Sequence, residues 1–175
     1  MLSTPQQSSF LVDSAGRPAP LWWRLINDLV TWTNKRTSQQ LAGRTEHTGT
    51  AVDTSIASMQ VTSGTRGIIR LSLALTMTAN ANAKTVKVKI GSSTVQAYTL
   101  DNAASASISL CIAGMGNNAQ TSYTISAQGA SVSGEPVVLT TEDMSAISTI
   151  AIFMQLSTIT DTIALESYAL DLEQI

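Results

Sequence analysis

Apolar and polar residues alternate along the stretch from Gly67 to Gly91. In its first half every second residue is apolar, namely Ile69, Leu71, Leu73, Leu75 and Met77. A period of two places these side chains on one face of a half-buried β-strand. The polar run 80–84 interrupts the pattern, after which Val86, Val88 and Ile90 resume it. The stretch therefore predicts two strands joined by an asparagine-rich turn.

Similar patterns continue to the C-terminus, separated by turns that contain Gly, Asn or Asp. They predict eight or nine strands near 56–62, 66–78, 84–90, 94–100, 105–113, 121–128, 136–140, 146–157 and 162–172. Many short strands at this spacing are typical of an antiparallel sandwich. We predict a mostly β fold, an antiparallel β-sandwich of jelly-roll-like form.

The strand predicted at 146–157 is apolar on both faces. We assign one face to the sandwich core: Ala146, Ile150, Ile152, Met154 and Leu156. The other face carries Ile147, Ala151 and Phe153, which a half-solvated sheet does not require. We predict that Ile147 and Phe153 meet another subunit in a homo-oligomer, with a trimer favoured. The alternative is that the N-terminal helix or a second layer of the same chain covers Phe153.

The N-terminal third differs from the rest. Residues 1–19 are polar and contain proline, with one apolar patch at Phe10, Leu11 and Val12, which we expect to anchor an arm. From Pro20 to about Thr33 the spacing predicts one short amphipathic helix whose apolar stripe holds Trp22, Leu25, Leu29 and Trp32. A helix this short depends on packing against another surface, so we predict that the stripe docks.

These patterns divide the chain into three parts. We predict an arm and docking helix at 1–35, a polar linker at 36–55 and the β-sandwich domain at 56–175. Serine and threonine account for 45 of the 175 residues, while only 13% are charged and 5% aromatic. Such a β-rich, sparsely charged composition favours a protein that is covered by neighbours in an assembly.

The charges are distributed unevenly. Residues 1–90 hold all ten basic residues and four acidic ones, and residues 91–175 hold eight acidic residues and no Lys or Arg. Two interpretations are open: the charges lie on separate solvated faces, or a basic and an acidic end direct contacts in an assembly. Nucleic-acid binding is disfavoured, because the basic residues are scattered and no aromatic residues are interleaved with Lys87 and Lys89.

Residue types that carry catalysis are scarce. The one histidine, His47, falls in the predicted linker, where we expect it to be solvated, and Cys111 has the surroundings of a small buried apolar residue. Carboxylates at Asp101, Glu142 and Asp143 fall in predicted turns. We therefore expect no enzyme activity, metal or cofactor. The absence of an apolar run of about 18 residues predicts no membrane insertion.

Several segments resemble structural proteins of tailed bacteriophages. A strand that leads through an asparagine-rich turn into an alternating strand closed by glycine resembles a β-sandwich module of those virions; its residues here are Asn80, Lys84, Thr85, Val86, Val88 and Gly91. Residues 161–168 are similar to the closing strand of that module. Residues 11–18, followed by Trp22 and Trp23, are similar to the N-terminal segment of many small phage tail proteins.

The resemblance implies a location and a role. It implies a non-enzymatic virion structural protein, assembled in the host cytoplasm, that docks on other virion proteins through its N-terminal segment and oligomerises through its β domain. Tail fibre, adaptor, head fibre and decoration protein all stay open. The alternative is a carbohydrate-binding module whose partner is a host surface glycan, although all three Trp residues lie in the predicted helix.

Overall fold

The computed structural model describes residues 36–40, 43–49, 51–61, 66–116, 118–145 and 148–173. These residues form twelve strands: β1 (Arg36–Gln40), β2 (Thr45–Thr48), β3 (Thr54–Val61), β4 (Ile68–Met77), β5 (Lys84–Ile90), β6 (Ser93–Leu100), β7 (Ser105–Gly116), β8 (Ala119–Gln128), β9 (Ala130–Val132), β10 (Val137–Thr140), β11 (Ser148–Leu156) and β12 (Thr162–Glu173). The chain separates into two compact units, Met1–Arg36 and Thr37–Ile175. The predicted arm and helix lie outside the described residues and stay predictions.

Two antiparallel sheets form a β-sandwich, which confirms the predicted fold. One sheet has seven strands in the order β1-β12-β4-β7-β8-β10, with β2 also paired to β12. The other has five strands in the order β3-β11-β5-β6-β9. Strands distant in sequence therefore lie side by side: β4 pairs with β12, and β5 pairs with β11.

The core lies between the apolar faces of the two sheets. On β4, Leu71, Leu73 and Leu75 are buried while Arg70 and Ser72 are exposed, as the alternation predicts. On β5 the valines and Ile90 face them from the other sheet, and all are fully buried. Burial of these alternating apolar residues is the main stabilising contribution to the sandwich.

Strand β11 has the predicted core face. Ile150, Ile152, Met154 and Leu156 have no exposed surface. On its other face Ala151 is buried and Phe153 is half-buried. The ammonium group of Lys89, on the neighbouring strand β5, lies 4.3 Å from the centre of the Phe153 ring. One face of the ring is thus covered by the same chain, and contact between Phe153 and a second subunit stays a prediction.

The sheet begins earlier than the sequence indicates. Strands β1 and β2 lie within the segment 36–55 that we predicted as a linker. On β2 only His47 is buried, so a short edge strand of this kind shows no apolar alternation. His47 pairs in register with Ile163 of β12 and is 6% exposed. The expectation of a solvated linker histidine is therefore wrong.

Two turns depend on glycine. Gly91, in the two-residue turn between β5 and β6, has a φ of +55°. Gly129, between β8 and β9, has a φ of +65°, and a Cβ there would lie 2.3 Å from the carbonyl oxygen of Ser105. Both the left-handed backbone and the close approach require glycine at position 129.

Candidate binding surfaces

Two ion pairs join the oppositely charged halves of the chain within the β domain. Arg44 lies 2.8 Å from Glu166, and Arg70 lies 3.2 Å from Glu173. Each pair joins a basic residue of the first half to an acidic residue of β12. Antiparallel pairing of β12 with β2 and β4 brings these charges together, so neither interpretation offered by the sequence describes these residues.

Glu166 is the most connected of these carboxylates. It accepts hydrogen bonds from the Thr76 hydroxyl and from Nε of Arg44. The hydrogen bond from Thr76, followed by that from Arg44, lowers the pKa of Glu166 below its ordinary value. The side chain is 35% exposed, so solvent screens much of the interaction.

A group of large apolar side chains is exposed on the outer face of the seven-stranded sheet, toward its β10 edge. The residues of this apolar patch are Met115, Tyr123, Ile125, Val137 and Leu139, with exposures from 41% to 70%. Isolated exposed apolar residues are common on protein surfaces, but contiguous ones mark contact sites. This patch is therefore the first candidate binding surface.

Strand register brings the patch together. Val137 of β10 and Cys111 of β7 both lie opposite Tyr123 of β8. A bulge in β8 lies between the residues that pair with Leu110 and Ser109, and Ile125 is the extra residue, 54% exposed. The Cys111 thiol is buried, and its hydrogen bond with Tyr123 raises the pKa of that phenol.

The second candidate surface lies on the outer face of the five-stranded sheet. We call it the Phe153 cluster: Asp53, Lys87, Lys89, Phe153 and Gln155. Lys87 Nζ lies 2.8 Å from Asp53 Oδ1, and Lys89 Nζ lies 3.9 Å from Asp53 Oδ2. Beside the cluster is an open pocket of about 370 Å³, lined in part by Thr85, Gln155 and Ser157. Gln155 is thus shared by the Phe153 cluster and the concave surface.

The predicted site residues are only partly placed. Phe10, Leu11, Trp22, Leu25, Leu29, Trp32 and Ile147 lie outside the described residues, so their docking and interface roles stay predictions. Phe153 alone is described, within the Phe153 cluster. Sequence reasoning missed the apolar patch, because Val137, Val138 and Leu139 form an unbroken apolar run that does not indicate which side chains face solvent.

A third feature is a buried polar cluster that joins two of the phage-like segments. Lys84 Nζ donates to Asn80 Oδ1 at 2.6 Å, and Asn80 Nδ2 donates to Asp161 Oδ1 at 2.7 Å. Lys84 has no exposed surface and Asp161 is 2% exposed. The hydrogen bond from Asn80 is the main cause that lowers the pKa of Asp161, and the charge of Lys84 adds to it.

The described residues lack two further kinds of site. That part of the chain contains no group of three or more His, Cys, Asp or Glu side chains arranged to hold a metal ion. It also contains no helix with the length and apolar character needed to cross a bilayer.

The carboxylate of Glu142 accepts a hydrogen bond from the backbone N–H of Ser93 at 3.2 Å and so holds the β5–β6 turn.

Comparison with known proteins gives structural similarities only. No protein-family model matches the chain, and no curated protein matches it. Among solved structures, the chain is similar to lectin I from Ulex europaeus in complex with the methyl glycoside of α-L-fucose: 6% identity, 79% of this chain and 98% of that chain covered, TM-score 0.40. It is similar to the CBM2 module of an evolved Dit from Lactobacillus casei BL23 phage J-1, with 9% identity, coverage of 81% and 98%, and a TM-score of 0.39.

A third similar structure is viral. Infectious bursal disease virus strain Gt shares 9% identity over 81% of this chain and 34% of that chain, with a TM-score of 0.42. Carbohydrate-binding and viral proteins are thus both among the structural neighbours. With identities below 10% and TM-scores near 0.4, these similarities assign neither a family nor a function to this chain.

Proposed function

We propose that the chain is a non-catalytic structural protein of a tailed-phage virion whose β domain assembles with copies of itself through the apolar patch. The single observation that supports this most is the patch, five large exposed apolar side chains on the neighbouring strands β7, β8 and β10 of a chain of which 13% is charged. Water contact with such a surface is unfavourable, and association removes it. The phage setting is supported by the resemblance of the strand and turn segments.

A second copy of the chain is the occupant we propose for the patch. Uncharged serine side chains continue the same outer face on β4 and β7, for example Ser72 and Ser109, which hydrogen bond to each other at 2.9 Å. Arg70 lies on the same face, in register with Cys111, and its charge is paired with Glu173 at 3.2 Å. A surface made mainly of apolar and hydroxyl groups meets another copy with little of the repulsion between like charges that opposes self-association. A trimer is the number we favour.

Matched aspartate substitutions test this proposal. Leu139→Asp places a charge in the patch, and Ile159→Asp places one on a loop residue that is 79% exposed and lies outside the patch. Because Leu139 is 70% exposed, its substitution leaves the fold intact. We expect Leu139→Asp to dissociate the oligomer because an unpaired carboxylate is costly to bury, and Ile159→Asp to leave the mass unchanged.

Light scattering gives the mass, and circular dichroism checks folding. A monomeric wild-type chain, or a folded Leu139→Asp variant that keeps the full oligomeric mass, contradicts assembly through the patch.

The same proposal assigns docking on other virion proteins to residues 1–35. Strand β1 begins at Arg36, so a deletion that spares the β domain ends at residue 35. We expect the shortened chain to fold and oligomerise but not to enter particles, as measured by its presence in purified virions. Normal incorporation would place the docking residues elsewhere.

A second candidate function is carbohydrate binding, which we propose for the Phe153 cluster. The observation that favours it is an aromatic ring beside ammonium and carboxylate groups, in a cluster whose Gln155 also lines a pocket of about 370 Å³. Sugars pack their apolar C–H faces on rings while their hydroxyls bond to polar side chains, and ligand sites combine both in concave surfaces.

A glycan array identifies a ligand, and titration calorimetry then compares variants. We expect Phe153→Ala to weaken binding at least about tenfold, the equivalent of roughly 1.4 kcal/mol. Ser126→Ala, on the other sheet, serves as the control and should bind normally. Equal affinity of the two variants, or no glycan bound by the wild type, argues against this function.

A further inference from the structure

The buried polar cluster brings together three groups that can react with one another. Lys84 supplies a primary amine, Asn80 a carboxamide and Asp161 a carboxylate. The amine has no exposed surface, the carboxylate is 2% exposed and Asn80 is half-buried, so two of the three residues are shielded from bulk water. The three residues come from two separate segments, the β4–β5 turn with the start of β5 and the residue just before β12.

The distances place the amine against the carboxamide. Lys84 Nζ lies 2.6 Å from Asn80 Oδ1, and the carbon Cγ is bonded directly to that oxygen. Backbone carbonyl oxygens of Asn80 and Asn82 accept further hydrogen bonds from Nζ at 3.2 Å and 3.0 Å and hold it in place. An amine fixed beside a carbonyl carbon needs little further movement to reach attack distance, roughly 3–3.5 Å.

The carboxylate lies between the attacking and the departing nitrogen. Asp161 Oδ1 accepts a hydrogen bond from Asn80 Nδ2 at 2.7 Å. Its other oxygen, Oδ2, is buried and lies 3.8 Å from Lys84 Nζ. The side-chain amide of Asn82 also donates toward this carboxylate and helps to lower its pKa.

We propose that Lys84 and Asn80 form an intramolecular isopeptide bond, with Asp161 as the acid–base residue. Nζ attacks Cγ of Asn80, the Nζ–Cγ bond forms and the Cγ–Nδ2 bond breaks. Of the three protons on Nζ, one stays on the new amide and Asp161 relays the other two to Nδ2, which leaves as ammonium. The charge is conserved because the lysine cation is replaced by the departing ammonium, and no oxidant or reductant is required.

Asn80, rather than Asp161, is the acyl group that the geometry selects. A bond from Lys84 to Asp161 would consume the carboxylate and leave no acid–base group among the three. With Asn80 as the acyl group, the carboxylate contacts the leaving nitrogen directly. The product links the turn before β5 to its first residue and replaces the lysine ammonium by a neutral amide, while the Asp161 carboxylate stays ionised.

Mass spectrometry of the full-length, purified chain tests the proposal. The expected intact mass is lower than the sequence mass by one ammonia. Trypsin cannot cleave after an acylated lysine, so digestion of the denatured chain should release residues 71–87 as one peptide that also lacks one ammonia, instead of residues 71–84. We expect Asp161→Asn, which keeps the side-chain shape, to restore both the full mass and cleavage after Lys84.

Every other result overturns the assignment. An unchanged peptide of residues 71–84 means that no bond forms. Loss of ammonia with normal cleavage after Lys84 indicates a succinimide at an asparagine, and Lys84→Arg, which cannot form the isopeptide bond, separates the two because it keeps a succinimide. Loss of water in a branched peptide that joins residues 71–87 to the tryptic fragment beginning at residue 90 indicates a bond to Asp161 instead.

Discussion

Replacing Leu73 with alanine tests the assignment of faces on which the sandwich is built. Leu73 is 2% exposed, in the middle of β4, and pairs in register with Ile108 on β7 and Tyr168 on β12. Removing three buried carbon atoms costs about 2.4 kcal/mol of transfer free energy at about 0.8 kcal/mol each. Because hydrogen-bonded strands hold β4 on both sides, the cavity closes poorly, and the total loss is roughly 2–5 kcal/mol.

This loss is large compared with a total stability of about 5–15 kcal/mol. Urea unfolding followed by circular dichroism should show the midpoint of Leu73→Ala lowered by roughly 1–2 M. Ser72→Ala is the matched control, because Ser72 is next to Leu73, its side chain is exposed, and its hydroxyl forms a hydrogen bond only with Ser109. Its midpoint should stay near that of the wild type. Equal midpoints for the two variants would refute the assignment of the inner and outer faces.

Three further substitutions test individual contacts. Gly129→Ala should lower stability by at least about 1 kcal/mol in thermal unfolding, because the φ of this residue is +65° and an added Cβ would overlap a carbonyl oxygen of β7. Gly43→Ala, where an added Cβ meets open space, is the control and should leave stability unchanged. Tyr98→Phe removes the buried hydroxyl that bonds to Thr124 at 3.0 Å and should lower the free energy of unfolding by about 0.5–1.5 kcal/mol. A double-mutant cycle between Tyr98 and Thr124 that gives no coupling energy would show that this hydrogen bond is absent. The pKa of Glu166 in the folded state lies below its ordinary 4.5, so its ionised form stabilises the fold above about pH 4.5, and this contribution is lost as the pH falls through the folded-state pKa. Glu166→Gln should therefore lose less stability on acidification than the wild type. Parallel profiles of stability against pH for the two proteins would contradict the lowered pKa.

Apolar and polar residues alternate along a half-buried strand, so the local sequence pattern predicted most of the strands. The faces of β4 and β11 follow from this rule, as the burial of Leu71 and Ile152 illustrates. This rule did not predict strands β1 and β2. They are short and lie at the edge of the sheet, and β2 has only His47 buried, so neither carries a repeating apolar signal.

The local sequence pattern does not show which strands pair with each other, so properties that depend on strand pairing could not be predicted from it. Part of the charge imbalance along the sequence is compensated because β12 brings Glu166 and Glu173 beside arginines of the first half. The apolar patch likewise depends on a bulge at Ile125 and on the pairing of β10 with β8. Tyr98 and Tyr123 show the same dependence: one is buried and the other is 41% exposed.

Hydrogen exchange as a function of protein concentration tests the central proposal, assembly through the apolar patch, most directly. If the patch is an interface between copies, the backbone amides of β10 and of residues 121–125 should exchange more slowly as the concentration rises. The amides of β3, at the edge of the other sheet, should be unaffected and provide the internal control. The account predicts protection confined to the β8–β10 edge. Exchange in β10 that is independent of concentration, in a sample that light scattering shows to be oligomeric, would contradict it.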